Sequence, residues 1–320
     1  IMKIMLVRDR NVLNNNWLAY FANLLHERGH EVVIACDTYG KLGVSAPGHE
    51  LEPGVRLANV NGKTSSPLQN FWRRIRCKAL PSWHLFDRLI KAEKPDVIIC
   101  YFPVDLYNVT RFQHHNIPIV QMVHGYPPMI LDKVLHKNPL SRAFCRQSFA
   151  RINTWQVLMN SYKKEIDPFF APQNVVRIAN PVKQYAENEM ADLSAEKKRI
   201  IYVARIEKKT KRPHLLVEAF AKIAAEFPDW KVEIWGMRKY PEYEKEINDF
   251  IRAHNLTGQV ALMGYTEDVE GLYRRADIHA FPSASEGFSL AIADAMSIGL
   301  PHVGFKDCLL YTSPSPRDCS

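Results

Sequence analysis

Short apolar runs alternate with longer amphipathic stretches along most of the chain. Residues 3–7 and 31–36 are apolar runs of strand length, and residues 17–26 between them repeat apolar side chains at helical spacing. Such runs are typical of strands buried on both faces, and the amphipathic segment predicts a helix that packs on the sheet. The strand–helix–strand order therefore predicts a parallel α/β sheet.

The same pattern continues through the first half of the chain and then stops. Further strands are predicted at residues 96–101, 117–123, 155–159 and 175–178. The next stretch (VKQYAENEMADLSAEK) is polar and carries almost no strand signal. We therefore predict a first domain at residues 1–182 and an interdomain linker at residues 183–197.

The alternation restarts after the linker, which predicts a second domain at residues 198–307. Its predicted strands are residues 199–203, 231–235, 260–263, 277–281 and 301–305, and its first three predicted helices are residues 214–227, 243–254 and 269–275. Two α/β halves joined by a linker predict two Rossmann-like parallel-sheet domains that face a cleft.

The last residues do not continue this pattern. Residues 308–318 (CLLYTSPSPRD) match the translation of a transposase-type sequencing adaptor, whereas the alternative is a natural Ser/Pro-rich tail. We assign residues 308–320 to the adaptor and exclude them from fold reasoning. The second domain is then expected to be incomplete, and the chain as it stands to be inactive or poorly stable.

Composition narrows the functional classes. A length of 320 residues suits two domains, and 47% hydrophobic with 24% charged residues is typical of a globular protein. The net charge of +8 favours an anionic partner such as a nucleotide or an anionic membrane.

The six cysteines form no C-x-x-C pair, so we expect reduced thiols rather than a disulfide framework or zinc site. No signal peptide or membrane-spanning run is visible, and a cytoplasmic location is expected.

Residues 71–94 are both basic and aromatic. Such a segment can lie on an anionic membrane face, which predicts a peripheral location on the inner side of the cell membrane. The alternative is a solvated helix pair with buried aromatic side chains. Neutralising Arg73, Arg74 and Arg76 separates the two interpretations.

Glu286–Met296 (EGFSLAIADAM) carries the strongest candidate chemistry. Leu290, Ala293 and Met296 recur at helical spacing, so the backbone N–H groups of the preceding residues face the helix entrance. A phosphate fits such an entrance, and the carboxylates of Glu286 and Asp294 suit sugar hydroxyls. The stretch predicts a clamp for a phosphorylated sugar. Its amide donors are Gly287, Phe288, Ser289 and Leu290.

Charged and small residues follow other predicted strands. Arg205 and Lys211 come after the first strand of the second half, where two cations can neutralise a departing diphosphate. His124 follows a strand and precedes a glycine, which favours a functional role over a structural one. Further candidates for contact with this phosphorylated ligand are Gly236, Gly264, Tyr265 and, in the first half, Ser161. No acid, His or Cys cluster has metal-ligand spacing, so no metal or other cofactor is expected.

Several motifs in order resemble the nucleotide-binding domain of the family-4 retaining glycosyltransferases of GT-B architecture. They are LLVEAF at 215–220, FPDWKVEIWG at 227–236, ADIHAFPS at 276–283 and EGFSLAIADAM at 286–296. Weaker matches in the first half are VHG at 123–125, NSY at 160–162 and IANP at 178–181.

The resemblance implies a nucleotide-sugar donor held by the second domain and an acceptor, a glycan or a lipid-linked saccharide, held by the first. It also implies transfer with retention of configuration, in cell-surface polysaccharide biosynthesis. Glu286 would contact the donor sugar and Asp294 the ribose. Arg205 and Lys211 would bind the diphosphate, and His124 would approach the sugar. The leaving phosphate would act as the base in a front-face reaction.

Three features depart from the family pattern. Asp294 stands where Glu is usual, and the first loop has Asn where a Gly pair is frequent. The spacing from Arg205 is one residue longer, so Lys208 or Lys209 is an alternative to Lys211. A sugar-nucleotide epimerase and a degenerate binding subunit remain alternatives, whereas nucleic-acid binding is disfavoured because the basic residues are scattered.

Overall fold

A computed structural model describes most of the chain. The described residues are 1–8, 16–37, 51–60, 66–69, 71–72, 83–110, 116–135, 139–170, 174–194, 196–284 and 286–305. Most of the Asn-rich first loop, three arginines of the basic segment (Arg73, Arg74 and Arg76) and the assigned adaptor residues 308–320 lie outside these ranges. The chain divides into a first unit, Ile1–Ala179, and a second unit, Asn180–Ser320.

The first unit is built on a parallel sheet in the order β3-β2-β1-β4-β5-β6-β7. Its elements are β1 (Lys3–Arg8), α1 (Asn16–Glu27), β2 (Glu31–Cys36), β3 (Arg56–Asn59), α2 (Trp83–Glu93), β4 (Val97–Cys100), α3 (Pro103–Thr110), β5 (Ile119–Val123), α4 (Pro127–Leu135), α5 (Pro139–Phe149), β6 (Thr154–Val157), α6 (Ser161–Phe170) and β7 (Val175–Arg177). The central strands are apolar throughout because helices cover both faces of the sheet. Met5, Val33 and Ile34 are fully buried.

The second unit repeats this design with the order β10-β9-β8-β11-β12. Its elements are β8 (Arg199–Val203), α7 (Pro213–Ala221), β9 (Lys231–Trp235), α8 (Pro241–Ala253), β10 (Val260–Gly264), α9 (Val269–Arg274), β11 (Ile278–Phe281), α10 (Leu290–Ser297) and β12 (His302–Gly304). The described strands of both sheets pair in parallel. The predicted α/β fold with two Rossmann-like parallel sheets is confirmed.

Several elements differ from the sequence prediction. Strand β3 was not predicted because its residues are only partly buried and lie at the sheet edge. Helices α3, α4 and α5 were not predicted either. Helix α7 ends at Ala221, earlier than the predicted residue 227, and turns continue to the next strand.

The segment predicted as a linker is hydrogen-bonded within the second unit. Glu187–Glu189 forms a single 3-10 turn. The Ala191 N–H donates to the Ile298 carbonyl at 2.8 Å, and Arg274 donates to the Glu189 carbonyl at 2.7 Å. These contacts tie the segment to α9 and to the end of α10.

Two properties bear on the expectations from composition. Cys36, Cys100 and Cys145 are buried and form no disulfide with one another, and the other three cysteines lie outside the described residues. None of the helices that the structure describes has both the length and the apolar character needed to cross a bilayer.

Candidate functional site

The strand order of the second sheet creates a switch point between β8 and β11. From β8 the chain proceeds to β9 on one side, whereas from β11 it proceeds to β12 on the other. Ligands of open α/β sheets bind at the carboxyl ends of the strands at such a switch point. Lys211 follows β8 and Glu286 follows β11, so both candidates lie at this switch point.

Lys211 and Glu286 form an ion pair through Nζ and Oε1. Their side chains are 15% and 10% exposed, so the pair is largely withdrawn from water. Lys211 Nζ also lies 5.1 Å from the centre of the Phe281 ring, the last residue of β11. A cation and a carboxylate are thus held together at the edge of the sheet.

Neighbouring groups fix the carboxylate of Glu286. The Ser283 hydroxyl donates to Glu286 Oε1 at 2.5 Å, and the Ser283 Oγ lies 3.0 Å from the Thr210 carbonyl. The Ala284 N–H donates to the same Thr210 carbonyl at 2.7 Å. The loops after β8 and β11 are therefore joined by hydrogen bonds as well as by the ion pair. Ser283 lies within the ADIHAFPS motif, but no role for it followed from the sequence.

Arg205 lies on the same edge with an exposed side chain. Its carbonyl accepts a hydrogen bond from the buried Tyr202 hydroxyl at 3.1 Å. Burial raises the pKa of Tyr202; the charges of Tyr243, Glu286 and Glu207 raise it further, and Arg205 opposes them. The charges of Arg205 and Glu286 therefore act in opposite directions on one buried hydroxyl.

The structure distinguishes Lys211 from its alternative Lys208. Lys208 Nζ pairs with Glu246 of α8, at 2.6 and 2.7 Å from the two carboxylate oxygens. Lys209 is exposed and makes no ion pair among the described residues. Of the three lysines, Lys211 is the one paired with Glu286.

Gly236 is required by close backbone packing. A Cβ at this position would lie 1.7 Å from the Ala204 carbonyl oxygen. The Gly236 N–H donates to the Gly264 carbonyl at 2.7 Å, and Gly264 has a φ of +96°. These glycines shape the ends of β9 and β10. Tyr265 follows with 60% of its surface exposed.

The amides of the EGFSL stretch precede and open α10, as the sequence predicted. The helix begins at Leu290, and Ser289 is its N-cap without a side-chain hydrogen bond to the cap. Gly287 and Phe288 are half-buried in the turn before it. A helix entrance of this kind favours an anion through the N–H groups of its first turn and through its dipole.

Asp294 lies on α10 in different surroundings from Glu286. Burial raises the pKa of Asp294 to about 6, and the nearby charge of Glu270 adds to the effect. Glu270 is itself paired with Lys183 at 2.7 Å and with Arg274 at 3.6 Å. The Tyr273 hydroxyl donates to the Ala291 carbonyl at 3.0 Å on the same helix. Asp294 thus has no cation paired with it among the described residues.

In the first unit, His124 directly follows β5, as predicted. Its ring stacks on Tyr101 with 4.3 Å between centroids and 13° between planes. The Arg8 guanidinium lies 4.9 Å from the Tyr101 ring and 4.1 Å from the Phe102 ring. Burial, helped by the charge of Arg8, lowers the pKa of His124 to about 3, so the imidazole is neutral at pH 7.

This stack occupies the switch point of the first sheet, where β1 and β4 are neighbours. Arg8 ends β1 and was not singled out from the sequence. Ser161 is the first residue of α6 and is exposed. No group of three His, Cys, Asp or Glu side chains in the described part of the chain is arranged to hold a metal ion.

Comparison with known proteins identifies the family of both halves. Residues 15–183 match the model of "Glycosyltransferase Family 4", and residues 186–310 match "Glycosyl transferases group 1". An uncharacterized glycosyltransferase of Haemophilus influenzae is 31% identical over 137 residues, which are 43% of this chain and 37% of that protein. The poly(glycerol-phosphate) alpha-glucosyltransferase of Bacillus subtilis is 27% identical over 138 residues, which are 43% of this chain and 19% of that protein. The matched stretches thus span well under half the length of either relative.

The fold is shared with solved GT-B structures. HepE of Anabaena, crystallised with UDP, superposes with a TM-score of 0.70 at 16% identity, over 96% of this chain and 81% of that chain. The family-4 model alone covers more than half of the sequence. The chain belongs to glycosyltransferase family 4 and has the two Rossmann-like sheets of the GT-B fold.

Proposed function

We propose that this protein is a retaining glycosyltransferase that moves a sugar from a nucleotide-sugar donor to a saccharide or lipid-linked acceptor. The observation that carries the proposal is the Lys211–Glu286 pair at the switch point of the second sheet. At this place the cation can bind the diphosphate of a sugar nucleotide, and the acid can accept hydrogen bonds from its sugar hydroxyls.

In the proposed donor site, the basic and the acidic residues bind different parts of the donor. Lys211 and Arg205 neutralise the diphosphate, whose negative charge grows as the sugar departs. Glu286 accepts hydrogen bonds from sugar hydroxyls, since Ser283 holds its carboxylate in place. The amides before α10 contribute further donors, and Asp294 accepts from the ribose. Gly236, Gly264 and Tyr265 form the neighbouring wall.

Retention of configuration follows from departure and attack on one face of the sugar. In this scheme the leaving phosphate takes the proton of the acceptor hydroxyl, so no protein base is required. His124 is neutral at pH 7 and in the proposal offers a hydrogen bond to the sugar rather than a proton. Ser161 contributes a hydroxyl from the start of α6. A role in cell-surface polymer synthesis agrees with the name of the Bacillus subtilis relative.

Binding measurements separate the proposed roles. We expect Glu286→Gln to weaken UDP-glucose binding while leaving UDP binding unchanged or stronger, because Lys211 loses its competing partner. Lys211→Ala should weaken both ligands, since both carry the diphosphate. Lys245→Ala is the matched control, because Lys245 pairs with Asp249 on the exposed face of α8. Equal loss of UDP and UDP-glucose binding in Glu286→Gln would remove the proposed division.

Turnover in the same samples tests the reaction class. Loss of one group that stabilises the transition state typically costs about 100- to 1,000-fold in kcat. We expect losses of that order for both variants across a panel of sugar nucleotides. Formation of an epimeric sugar nucleotide without transferred or free sugar would favour an epimerase. Donor binding with no turnover in any acceptor mixture would favour a binding subunit.

We also propose that the segment after β3 contacts an anionic membrane at the cytoplasmic face. Leu68, Phe71 and Trp72 are 67%, 56% and 61% exposed, and the Phe71 and Trp72 rings meet edge-on at 5.8 Å. Exposed aromatic side chains beside a basic run are typical of interfacial segments. Pelleting with phosphatidylglycerol liposomes should fall when Phe71 and Trp72 are replaced by Ala. Unchanged pelleting would contradict this contact.

A further inference from the structure

An opening lies at the carboxyl edge of the second sheet, between the loops that follow β8 and β9. Its volume is about 560 Å³, within the usual range for small-molecule sites. Three lysines and two tyrosines dominate its lining: Lys208, Lys209, Lys239, Tyr240 and Tyr243. None of the residues assigned above to the donor site lines it.

The backbone explains why this opening exists. Strands β8 and β9 pair in register as far as Val203 and Trp235, and the Ile206 N–H still reaches the Met237 carbonyl at 3.3 Å beyond the strand ends. The two loops then diverge toward α7 and α8, which start at Pro213 and Pro241. The cavity is the space between the diverging loops.

The three lysines that line the cavity differ in whether they form an ion pair. Lys208 is paired with Glu246, whereas Lys209 and Lys239 are exposed and make no ion pair with any described residue. Glu207 Oε1 accepts the Thr210 N–H at 3.2 Å, which directs that carboxylate into its own loop. Glu242 lies in the first turn of α8, where the helix dipole favours a negative charge. Two cations therefore remain available to a ligand.

The two tyrosines of the cavity differ in exposure, and hydrogen bonds hold one of them in place. Tyr243 is 6% exposed, and its hydroxyl lies 2.6 Å from His214 Nδ1 and 3.3 Å from the His214 backbone N–H. Tyr240 is the N-cap of α8 and is 49% exposed. A tyrosine ring offers an apolar face together with a hydrogen-bonding hydroxyl, which suits the C–H face and the hydroxyls of a pyranose.

We propose that this cavity binds a saccharide unit that bears a phosphate or a carboxylate. Lys209 and Lys239 bind the anionic group, Tyr240 stacks on the sugar ring, and Glu242 accepts hydroxyl hydrogen bonds. The cavity shares the loop of residues 205–212 with Lys211, so a bound acidic saccharide lies next to the proposed donor site. Its assignment as part of the acceptor rests on the proposed function, whereas the binding itself does not.

Calorimetry on the 320-residue chain tests the proposal with three probes: glucose 6-phosphate, glucuronic acid and glucose. We expect the two acidic sugars to bind and glucose to bind at least tenfold more weakly. Lys239→Ala and Lys209→Ala should each weaken the acidic probes about tenfold, as expected for loss of one charge-assisted hydrogen bond. Tyr240→Ala should weaken all three probes, and Lys245→Ala should change none.

Competition distinguishes this site from the donor site. Glucose 6-phosphate should bind equally well with and without UDP, and Lys211→Ala should weaken UDP binding but leave glucose 6-phosphate binding unchanged. Binding of inorganic phosphate as tight as that of glucose 6-phosphate would show an anion site without sugar recognition and would overturn the proposal. Displacement of glucose 6-phosphate by UDP, or unchanged binding in Lys239→Ala, would overturn it as well.

Discussion

Replacing Asp294 by Asn should stabilise the second unit at neutral pH while weakening ligand binding. The carboxylate is half-buried on α10, and neither Lys183 nor Arg274 pairs with it, because both pair with Glu270. At pH 7 the folded protein therefore carries a negative charge in a place that disfavours it. Asn has nearly the same shape and removes that charge.

The magnitude follows from the raised pKa. The pKa of Asp294 rises from 3.8 to about 6 on folding, first because of burial and then because of Glu270. Between these values the folded state binds more protons than the unfolded state, so stability falls as pH rises and stays lower above pH 6. A shift of this size corresponds to about 1–3 kcal/mol at neutral pH. Below pH 4 the effect disappears.

Urea unfolding followed by circular dichroism at pH 7.5 and pH 5.0 measures this effect. We expect Asp294→Asn to be more stable than the parent at pH 7.5, and the difference to shrink to about half at pH 5.0, which lies between the unfolded and folded pKa values of Asp294. Calorimetry should show weaker UDP binding by the variant at pH 7.5, and UDP affinity of the parent should decrease below pH 6. A variant that is less stable at pH 7.5, or that differs equally at both pH values, would refute the reasoning.

Three further predictions concern neighbouring features of the second unit. Gly236→Ala should lower the free energy of unfolding by about 3 kcal/mol or more, because the new Cβ collides with the Ala204 carbonyl. Gly258→Ala is the control: its Cβ meets no atom within 4 Å, so the urea midpoint should change little. The Nδ1 atoms of His279 and His302 lie 2.9 Å apart, and burial lowers the pKa of both side chains, to about 4 for His302. The unfolded state therefore binds more protons than the folded state at acid pH, and stability should fall as pH decreases from 6.5 to 4. The double variant His279→Phe/His302→Val should flatten that acid limb in urea titrations, and an unchanged limb would exclude the pair as its cause. Asp294→Glu should bind UDP at least as well as the parent, because it restores the acid usual in the family; weaker binding would show that the pocket is fitted to the shorter side chain.

The fold was predictable where burial is complete on both faces of a strand. Residues 31–36 form an uninterrupted apolar run, and β2 occupies these positions because helices cover both sides. Strand β3 was missed because an edge strand is paired on one side only, and its residues (RLAN) are mixed in polarity. Periodicity reports burial, so elements that are only partly buried leave a weak pattern.

The places of the candidate residues along the strands and helices were predictable, whereas their pairings were not. Glu286, Asp294, Arg205 and Lys211 stand after strands or on a helix, and strand ends are readable from apolar runs. The sequence did not predict which lysine pairs with Glu286, because Lys208 and Lys211 lie in the same loop and differ only in the direction of their side chains. Pairing depends on side-chain direction within a loop, which no periodicity encodes.

The two acids of the EGFSLAIADAM stretch illustrate the consequence. From their spacing in the sequence, Glu286 and Asp294 were predicted to be two equivalent carboxylates of one ligand clamp. In the folded chain Glu286 has a cation and a hydroxyl as partners, whereas Asp294 has burial and a second carboxylate near it. A ligand therefore gains from them in different ways. It competes with Lys211 for Glu286, whereas at Asp294 it supplies hydrogen-bond donors that the described residues do not provide. A hydroxyl-bearing ligand should for this reason lower the pKa of Asp294 when it binds, and proton release on UDP binding near pH 6, measured in buffers of different ionisation enthalpy, distinguishes this linkage from simple charge neutralisation.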